Sequence, residues 1–368
     1  MVKVLYLHGI RYFSLRKLGI AILYFVVMLI MGFIIIFFRL FDEVFFSSYR
    51  KIQIKDPVFI ISNPRSGTTF LHRLMCTDEA KFVHIKMYHT IIPSITFFKL
   101  VHFLNGIDNR MGRPFGKLIQ WIEKKLFKGW EDVHAAGFNR SEEDEGLYFL
   151  SGISPALSLI TPYLKHFREL YILDQLDEKK KVRIKKYYYS TLQRWMYVLG
   201  KDKQFLCKSV MSIGRLQLLL EMFPGMRIVY LARNPYEAVP SFVEMFSSTW
   251  SAIGFKVPEN SEQSRELAAL AIIYYQYFNE QKKKIHPAHL IALKYDDLVA
   301  NPYATVMKIY HQFDFKMCTE VEEKLQRESA ISRSYKSKHH YSLEQYGLNK
   351  QEIDKELPFV FDEYGFSE

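Results

Sequence analysis

The segment that decides the fold of this chain runs Ile60-Ile61-Ser62-Asn63-Pro64-Arg65-Ser66-Gly67-Thr68-Thr69-Phe70-Leu71. An apolar strand pattern ends at Ser62, a tight turn follows, and a helix pattern starts near Thr68. The N–H groups at a helix N-terminus point toward an anion, and the helix dipole favours negative charge there. Gly67 lets the backbone approach closely, and Arg65 supplies a forked cation suited to phosphate or sulfate. The segment therefore predicts an anion-binding loop between a strand and a helix.

Short apolar runs rich in β-forming residues recur along the chain, at Val58–Ser62, Phe205–Lys208, Ile228–Leu231 and His289–Leu293. Each run is followed by a helical pattern, and such alternation is typical of a parallel sheet that is buried on both faces. We therefore expect an α/β fold, with a P-loop-like central parallel sheet and helices on both faces. The mostly helical stretch from about residue 87 to 197 is expected to be an insertion that caps the sheet and shapes an acceptor pocket. An amphipathic surface lying on a bilayer is the alternative.

The composition favours an anionic partner. The chain has 368 residues with 50 Lys and Arg against 39 Asp and Glu, which gives a net charge of +11. Such an excess suits a phosphorylated cofactor, an acidic membrane leaflet or nucleic acid, but no nucleic-acid recognition motif accompanies it, and we expect no nucleic-acid partner. The three cysteines are far apart in sequence and form no CxxC pair, so neither a disulfide framework nor a metal site is expected.

An uncharged stretch of 21 residues, Leu18–Phe38, precedes the anion-binding loop. As a helix it would be roughly 31 Å long, which matches the hydrocarbon core of a bilayer. A core helix is the alternative, and a signal peptide is disfavoured because this apolar stretch is too long and no A-x-A site follows. We predict a basic flank over residues 1–17, a transmembrane helix over 18–38, a stalk over 39–55 and a catalytic domain over 56–368.

The orientation of this single-pass anchor stays open. Four basic residues precede the span and four follow it closely, so the charge bias is a tie. A glycosylation sequon stands at Asn139-Arg140-Ser141, but such triplets also arise by chance. The cytoplasmic face of a bacterial membrane and the lumen of the Golgi are both compatible with the sequence.

The loop differs from that of nucleotide kinases and ATPases. Their Walker motif reads G-x-x-x-x-G-K-[ST], whereas here Ser62 replaces the first Gly and Thr68 stands where the Lys should be. The cation has moved to Arg65, before the glycine, and no apolar run that ends in a metal-binding Asp accompanies it. An ordinary P-loop kinase is therefore disfavoured.

The segment from Pro64 to Leu71 resembles the P-[KR]-S-G-T-T-x-L loop of the sulfotransferases that use 3′-phosphoadenosine 5′-phosphosulfate (PAPS). The resemblance covers roughly residues 56–368. Within the family, the chain is most similar to the large carbohydrate- and lipid-type branch. It implies PAPS as co-substrate, without a metal. It also implies that the 5′-phosphate and the sulfuryl group are held by the loop residues Arg65, Ser66, Gly67, Thr68 and Thr69.

The family's second motif is a strand followed by an Arg, with a Ser eight residues later on the next helix. In this chain Arg233 follows the run Ile228–Leu231, and Ser241 comes eight residues after it. The resemblance implies that this guanidinium and this hydroxyl grip the 3′-phosphate. Weaker similarities are found in Phe205–Ser209, Phe223–Gly225, Tyr295–Leu298, Asn301-Pro302, Tyr341–Leu343 and Tyr346–Leu348.

Sulfuryl transfer needs a cation on the leaving phosphate and a base for the acceptor hydroxyl. Arg65 is the first candidate cation and Lys208 the second, because a Lys at the carboxyl end of a strand reaches the cofactor cleft. His89 is our preferred base, since it stands where relatives often carry a carboxylate. Glu143, in the acidic run from residue 142 to 145, is the alternative base, although this run also fits a helix cap. His134 is a third choice.

These observations together predict a membrane-anchored sulfotransferase that moves a sulfuryl group from PAPS to a hydroxyl of a glycan, glycolipid or lipid. A membrane tether favours such acceptors over a freely diffusing phenol. A non-catalytic PAPS- or nucleotide-binding membrane protein and an atypical P-loop kinase are the alternatives. The acceptor and the oligomeric state are left open by the sequence.

Overall fold

The computed structural model of the chain describes residues 3, 15–63, 65–126, 137–138, 141–332 and 342–366. Several positions named above lie outside the described residues: Pro64, His134, Asn139, Arg140 and Tyr341.

A parallel sheet forms the centre of the fold. Its five strands are β1 (Val58–Ser62), β2 (Phe82–Val83), β3 (Gln204–Lys208), β4 (Arg227–Ala232) and β5 (Leu290–Lys294). Their order in the sheet is β2-β3-β1-β4-β5, and all neighbours run parallel. The four predicted strands are confirmed, each to within one residue at either end. Strand β2 was not predicted, because two residues carry no detectable periodicity.

Alternate residues of the strands pack against helices on the two faces of the sheet. On one face Val58 and Ile60 join the core that includes Leu71 and Leu74, from the helix after β1. On the other face Phe59 stacks on Phe223, with ring centroids 6.3 Å apart, and Tyr230 stacks on Phe278 at 3.7 Å. The predicted α/β fold is therefore confirmed, and the strands read as continuous apolar runs because both faces are buried.

The helices follow in chain order, and their bounds are α1 (Leu15–Phe45), α2 (Thr68–Met75), α3 (Met87–Ile91), α4 (Ile95–Arg110), α5 (Pro114–Leu126), α6 (Glu145–Leu150), α7 (Glu178–Leu199), α8 (Leu216–Met222), α9 (Pro235–Ala252), α10 (Glu262–Gln281), α11 (Tyr295–Ala300), α12 (Pro302–Gln312), α13 (Thr319–Ser332), α14 (Lys350–Glu356) and α15 (Pro358–Tyr364). Short 3₁₀ turns lie between them, at Ser47–Lys51, Pro155–Ile160, Leu164–Leu170, Leu173–Gln175, Val210–Arg215, Lys282–Lys284, Pro287–His289 and Glu344–Tyr346.

The chain divides into two compact units. The first comprises Met1–Ile54, His84–Gly152 and Lys186–Asp202, and the second comprises Lys55–Val83, Ile153–Lys185 and Lys203–Glu368. The second unit holds the sheet. The expected insertion over residues 87–197 is thus shared between the two units, because its middle part, Ile153–Lys185, belongs with the sheet.

In the first unit, α1 is long and apolar enough to cross a membrane over Leu18–Phe45. Its most apolar 18-residue window is 6% buried, so α1 does not have the burial of a core helix. The helix continues seven residues beyond Phe38. Residues 39–45, which were predicted to begin the stalk, form the last two turns of α1.

A buried ion pair fixes the end of α1 within the first unit. Asp42 accepts a hydrogen bond from Arg194 Nε at 2.9 Å, and both side chains are at most 1% exposed. Asp42 also accepts from the backbone N–H groups of Ile95 at 3.1 Å and Thr96 at 2.8 Å, at the start of α4. A buried carboxylate is tolerated when it is paired and hydrogen-bonded in this way. The carboxyl-terminal turns of α1 are thereby tied to α4 and α7.

Candidate functional site

The loop after β1 has two residues in a left-handed backbone conformation. Arg65 and Gly67 both have positive φ, at 68° and 80°, and α2 begins directly after Gly67. Positive φ is uncommon for a residue with a side chain, and such strain is concentrated at functional sites. The N–H groups of Phe70 and Leu71 bond to the carbonyl of Gly67, at 3.0 and 3.1 Å, which fixes the first turn of the helix.

Gly67 is closely covered by an aromatic ring. A Cβ atom at this position would lie 2.7 Å from Cδ2 of Tyr295, the first residue of α11. Glycine is therefore required both for its positive φ and for the absence of a side chain. The sequence signal at Tyr295 was its place in a family-like segment, but no role in the site was predicted for it.

Two polar side chains of the loop are buried and retain unused hydrogen-bonding capacity. Among the described residues, Oγ of Ser66 has no hydrogen-bond partner, and the side chain is fully buried. Asn63 donates to the carbonyl of Ala271 at 2.7 Å, while its Oδ1 has no partner in the described part of the chain. Thr68 is 4% exposed and Thr69 is half-buried. Because buried polar groups are normally paired, the hydroxyl of Ser66 suits a bound anion.

Arg233 lies at the carboxyl end of β4 and reaches back to the loop. Its Nη1 donates to the carbonyl of Arg65 at 2.6 Å, and its guanidinium lies 4.5 Å from the centre of the Tyr295 ring. The hydroxyl of Tyr275 donates to the carbonyl of Arg233 at 2.8 Å. These three contacts together hold Arg233 in place. The contribution of Tyr275 was not predicted from the sequence.

The two predicted motifs meet through Ser241. This residue is 5% exposed in the second turn of α9, and its Oγ accepts a hydrogen bond from Nε of Arg65 at 3.3 Å. Asn234 caps the same helix by accepting from the N–H of Tyr236 at 3.0 Å. The structure thus brings together Arg65, Arg233 and Ser241, which are distant in sequence, in the second unit.

A carboxylate shares Arg233. Oε2 of Glu237 accepts from Nη2 at 2.7 Å and from Nε at 3.0 Å, in an i,i+4 pair whose Glu side chain is 56% exposed. Burial and the nearby Glu237 carboxylate raise the pKa of Asp296. Both acids line a cavity of about 460 Å³ at the carboxyl ends of β4 and β5, together with Lys294 and Lys350. Ligands of open parallel sheets bind at this edge.

Lys208 is the last residue of β3 and is fully buried. It lies opposite Ile60 of β1, in the strand that leads into the anion-binding loop, and the N–H of Ser209 bonds to the carbonyl of Ile60 at 3.0 Å. A solvated surface lysine is thereby excluded.

His89 lies in the first unit and is 1% exposed. Its Nδ1 accepts the N–H of Lys86 at 2.9 Å, so the proton of the neutral ring is on Nε2. Its ring packs between those of Tyr88 and Phe98, with centroids 4.0 and 4.8 Å away. Burial lowers the pKa of His89 to about 3, and the charges of Lys86 and His84 contribute. These are the surroundings of a core histidine.

Glu143 also lies in the first unit, just before α6, and is half-buried. Its N–H donates to Oε1 of Glu142 at 3.0 Å. The adjacent Asp144 is fully buried and accepts from the hydroxyl of Tyr188 at 2.6 Å. Within the acidic run, Asp144 is thus buried and hydrogen-bonded, and its neighbour Glu143 is half-buried.

Comparison with known proteins agrees with this fold. A family model described as "Sulfotransferase family" matches residues 57–319. The omega-hydroxy-beta-dihydromenaquinone-9 sulfotransferases Stf3 of Mycobacterium bovis and Mycobacterium tuberculosis are each 21% identical over 313 residues, or 84% of this chain and 75% of theirs.

Solved structures show the same fold. The sulfotransferase STF9 of Mycobacterium avium is similar with a TM-score of 0.71 and 15% identity, over 89% of this chain and 81% of its own. The sulfotransferase STF1 of Mycobacterium tuberculosis reaches a TM-score of 0.68 and 19% identity, over 96% of this chain and 90% of its own. The chain belongs to the sulfotransferase family, as its loop and its second motif predicted.

Proposed function

We propose that this protein is a membrane-anchored enzyme that transfers the sulfuryl group of PAPS to a hydroxyl of a lipid, without a metal ion. The meeting of Arg65, Arg233 and Ser241 around the loop after β1 is the observation that carries the proposal. PAPS supplies an activated sulfuryl group whose S–O bond to the 5′-phosphate breaks as a bond to the acceptor oxygen forms. The chain's own residues must bind both phosphates, neutralise the leaving group and remove the acceptor proton.

The loop fits the 5′ end of such a donor. The buried Oγ of Ser66 offers a hydrogen bond that the described residues do not use. Gly67 has no side chain, so its backbone lies close to the Tyr295 ring. Thr68 and Thr69 add hydroxyl donors at the start of α2, where the helix dipole favours an anion. Arg65, with the buried Lys208 at the end of the neighbouring strand β3, provides the positive charge that stabilises the leaving phosphate.

The second motif fits the 3′-phosphate. The guanidinium of Arg233 and the hydroxyl of Ser241 both converge on Arg65, through its carbonyl and its Nε. Charge-assisted bonds from arginine to phosphate are short, strong and often bidentate. A nucleotide without a 3′-phosphate cannot use these groups, which is why PAPS is favoured over ATP.

Between the two candidate bases, the surroundings favour Glu143 over His89. Nδ1 of His89 already accepts a backbone N–H, and its Nε2 carries the proton, so neither nitrogen is free to accept another. Glu143 is half-buried and sits beside the anchored Asp144. A half-buried carboxylate is a type of group that can accept the proton of an acceptor hydroxyl.

Two observations favour a lipid acceptor. The mycobacterial Stf3 proteins, whose name describes sulfation of a menaquinone derivative, cover 84% of this chain. Helix α1 is long and apolar enough to hold the protein at a membrane, where lipid hydroxyls are concentrated. A glycolipid hydroxyl also lies at the membrane, whereas the sulfation of a soluble glycan does not require a membrane-anchored enzyme.

A sulfate-transfer assay tests the proposal. Full-length protein in vesicles is incubated with labelled PAPS and EDTA, and with hydroxylated quinol, glycolipid and glycan acceptors in parallel. We expect label in the lipid fraction, and we expect Glu143→Gln to lower turnover by roughly 10²–10⁴ while donor affinity is kept. Donor binding without transfer to any class would indicate the non-catalytic alternative, and transfer that depends on magnesium would contradict the metal-free mechanism.

A further inference from the structure

Helices α4 and α5 form a hairpin in the first unit. Asp108, near the end of α4, accepts the backbone N–H groups of Phe115 and Gly116, each at 2.8 Å, and so caps the start of α5. Arg113 in the turn donates its N–H to the carbonyl of Asp108 at 2.8 Å. The turn is therefore well defined, and the two helices are joined as one element, called here the α4–α5 hairpin (residues 95–126).

The α4–α5 hairpin exposes large apolar side chains at helical spacing. Along α4 these include Phe103, Leu104 and Ile107, and along α5 they include Phe115, Leu118 and Ile119. Phe103 is 64% exposed and Phe115 is 59% exposed. Residues at i, i+3 or i+4 lie on one face of a helix. An exposed apolar surface of this extent marks a site of contact with a partner or with a membrane.

This surface begins where the candidate membrane helix ends. The rings of Phe38 in α1 and Phe97 in α4 meet edge to face, with centroids 5.4 Å apart. Asp42 of α1 accepts the N–H groups of Ile95 and Thr96, so the start of α4 is fixed to the last turns of α1. All of these residues belong to the first unit. If α1 spans a bilayer, the start of the hairpin is held beside it.

The charge of the hairpin is complementary to an acidic leaflet. Residues 95–126 contain six Lys and Arg against two Asp and Glu, and one of those acids is the buried Asp108. Lys125 lies with its Nζ 3.9 Å from the centre of the Trp121 ring, at the end of α5. Basic residues beside exposed aromatic and aliphatic ones are typical of helices that lie in the interface of anionic membranes.

We propose that the α4–α5 hairpin inserts its apolar face into the headgroup and upper acyl region of an anionic phospholipid bilayer, the same bilayer that α1 crosses. The inference rests on the membrane anchoring in the proposed function, but it concerns a different element. The hairpin gives the enzyme a second membrane contact, independent of the span. A second copy of the chain on this face is the competing occupant.

Quenching of Trp121 fluorescence by brominated lipid tests the inference. Trp121 is 54% exposed, whereas Trp195 and Trp250 are fully buried, so the emission that Trp121→Phe removes belongs to an exposed site on α5. A Trp130→Phe background removes the remaining tryptophan. Full-length protein is placed in phosphatidylglycerol vesicles whose acyl chains carry bromine just below the headgroups. We expect the Trp121 emission to fall roughly twofold or more, since interfacial helices lie at this depth.

Two glutamate variants provide the matched control. Phe115→Glu places a charge on the hairpin's apolar face and should restore most of the Trp121 emission in brominated vesicles. Val182→Glu alters an equally exposed apolar residue of α7, in the second unit, and should leave the quenching unchanged. Equal Trp121 emission with brominated and unbrominated lipid would overturn the inference, and dimers crosslinked through this face would assign it to a second copy.

Carbonate extraction of the same vesicles separates this inference from the anchoring. Protein that resists extraction while Trp121 stays unquenched retains its anchor and lacks the inserted hairpin, which contradicts the inference. Protein that washes off at high pH although Trp121 was quenched before extraction has the hairpin contact and lacks the transmembrane span. In that case the insertion of the hairpin stands, and the span of α1 in the proposed function is wrong.

Discussion

At the scale of single residues, Glu237 competes for Arg233, the arginine proposed to bind the 3′-phosphate of the donor. It holds Arg233 through two hydrogen bonds and carries a negative charge beside the position proposed for the 3′-phosphate. A bound phosphate must either displace this carboxylate or tolerate it as a neighbour of like charge. Glu237 therefore disfavours the donor's negative charge while it orients the arginine.

The first prediction follows from this competition. Glu237→Gln should tighten binding of 3′-phosphoadenosine 5′-phosphate (PAP) by about two- to fivefold. This change corresponds to the free energy of an exposed ion pair. Glu323→Gln breaks an exposed i,i+4 pair with Arg327 on α13 and should leave the affinity unchanged. Titration calorimetry measures both. Weaker binding by Glu237→Gln would mean that the carboxylate mainly positions Arg233.

The second prediction concerns His89 and acid. Because the pKa of His89 is lowered to about 3 in the folded chain and is near 6.5 when unfolded, the unfolded state binds the extra proton between these values. The neutral, buried His89 contributes fully to the free energy of unfolding above pH 6.5. This contribution falls by about 1.4 kcal/mol per pH unit as the pH drops below 6.5. His89→Asn keeps an acceptor for the N–H of Lys86 and removes the titration.

Thermal unfolding at pH 7.5 and 5.0 checks this prediction. The wild-type protein should lose more stability between the two pH values than His89→Asn does, and the variant should keep most of its turnover. A variant as acid-sensitive as the wild type would show that His89 is accessible to protons in the folded state. A large loss of turnover with intact folding would return His89 to the role of base.

At the scale of elements, the loop between β1 and α2 depends on a contact that comes from far along the chain. Gly67 has positive φ and faces the ring of Tyr295. Gly152 also has positive φ, at 72°, but a Cβ there would meet no atom within 4 Å. Alanine substitutions at the two glycines therefore distinguish the free-energy cost of backbone strain, which both have, from the cost of a clash with Tyr295, which only Gly67 has.

The third prediction uses this pair. Gly152→Ala should cost about 1–2 kcal/mol of stability, the backbone term alone, and should not alter PAP affinity. Gly67→Ala should have the same backbone cost and should also displace Tyr295, which weakens PAP binding. Unfolding and binding measured on both variants check this. Equal PAP affinity for the two variants would show that the Gly67–Tyr295 contact does not shape the donor site.

The same elements show which features the sequence could predict. Residues 60–71 carry their strand, turn and helix signals within twelve positions, and the eight-residue spacing of Arg233 and Ser241 is equally local. The roles of Tyr295 and Tyr275 depend on contacts between segments far apart in sequence, which no local pattern contains. His89 stands where relatives often carry a carboxylate, but the sequence does not show that its ring is buried against Phe98 and that its Nδ1 caps α3 by accepting the N–H of Lys86.

At the scale of the whole molecule, the start of the chain combines a candidate membrane span with part of a folded unit. Asp42 and Tyr49 are buried in the first unit, and the Tyr49 ring lies 4.1 Å from the Arg194 guanidinium. A chain that begins at Lys55 lacks both and leaves Arg194 buried without its carboxylate. Breaking a buried pair in this way typically costs about 3–5 kcal/mol.

The fourth prediction compares three chain lengths. The full chain should resist carbonate extraction from vesicles. A chain that begins at Arg39 should fold, because it keeps Asp42, and should wash off at high pH. A chain that begins at Lys55 should aggregate or unfold at a lower temperature, as followed by circular dichroism. A stable, cooperative Lys55 chain would show that the Asp42–Arg194 pair is dispensable for the first unit.

We propose that Arg65, Arg233 and Ser241 form the site for a nucleotide with a 3′-phosphate. Titration calorimetry of the full chain with PAP and with AMP, in EDTA, measures whether the 3′-phosphate contributes to binding. PAP should bind more tightly than AMP. Arg233→Ala should weaken PAP binding by roughly tenfold to a hundredfold, whereas Arg227→Ala, at the opposite end of β4, should not change it. Equal affinity for PAP and AMP, or unchanged PAP binding by Arg233→Ala, would show that these residues do not bind a 3′-phosphate.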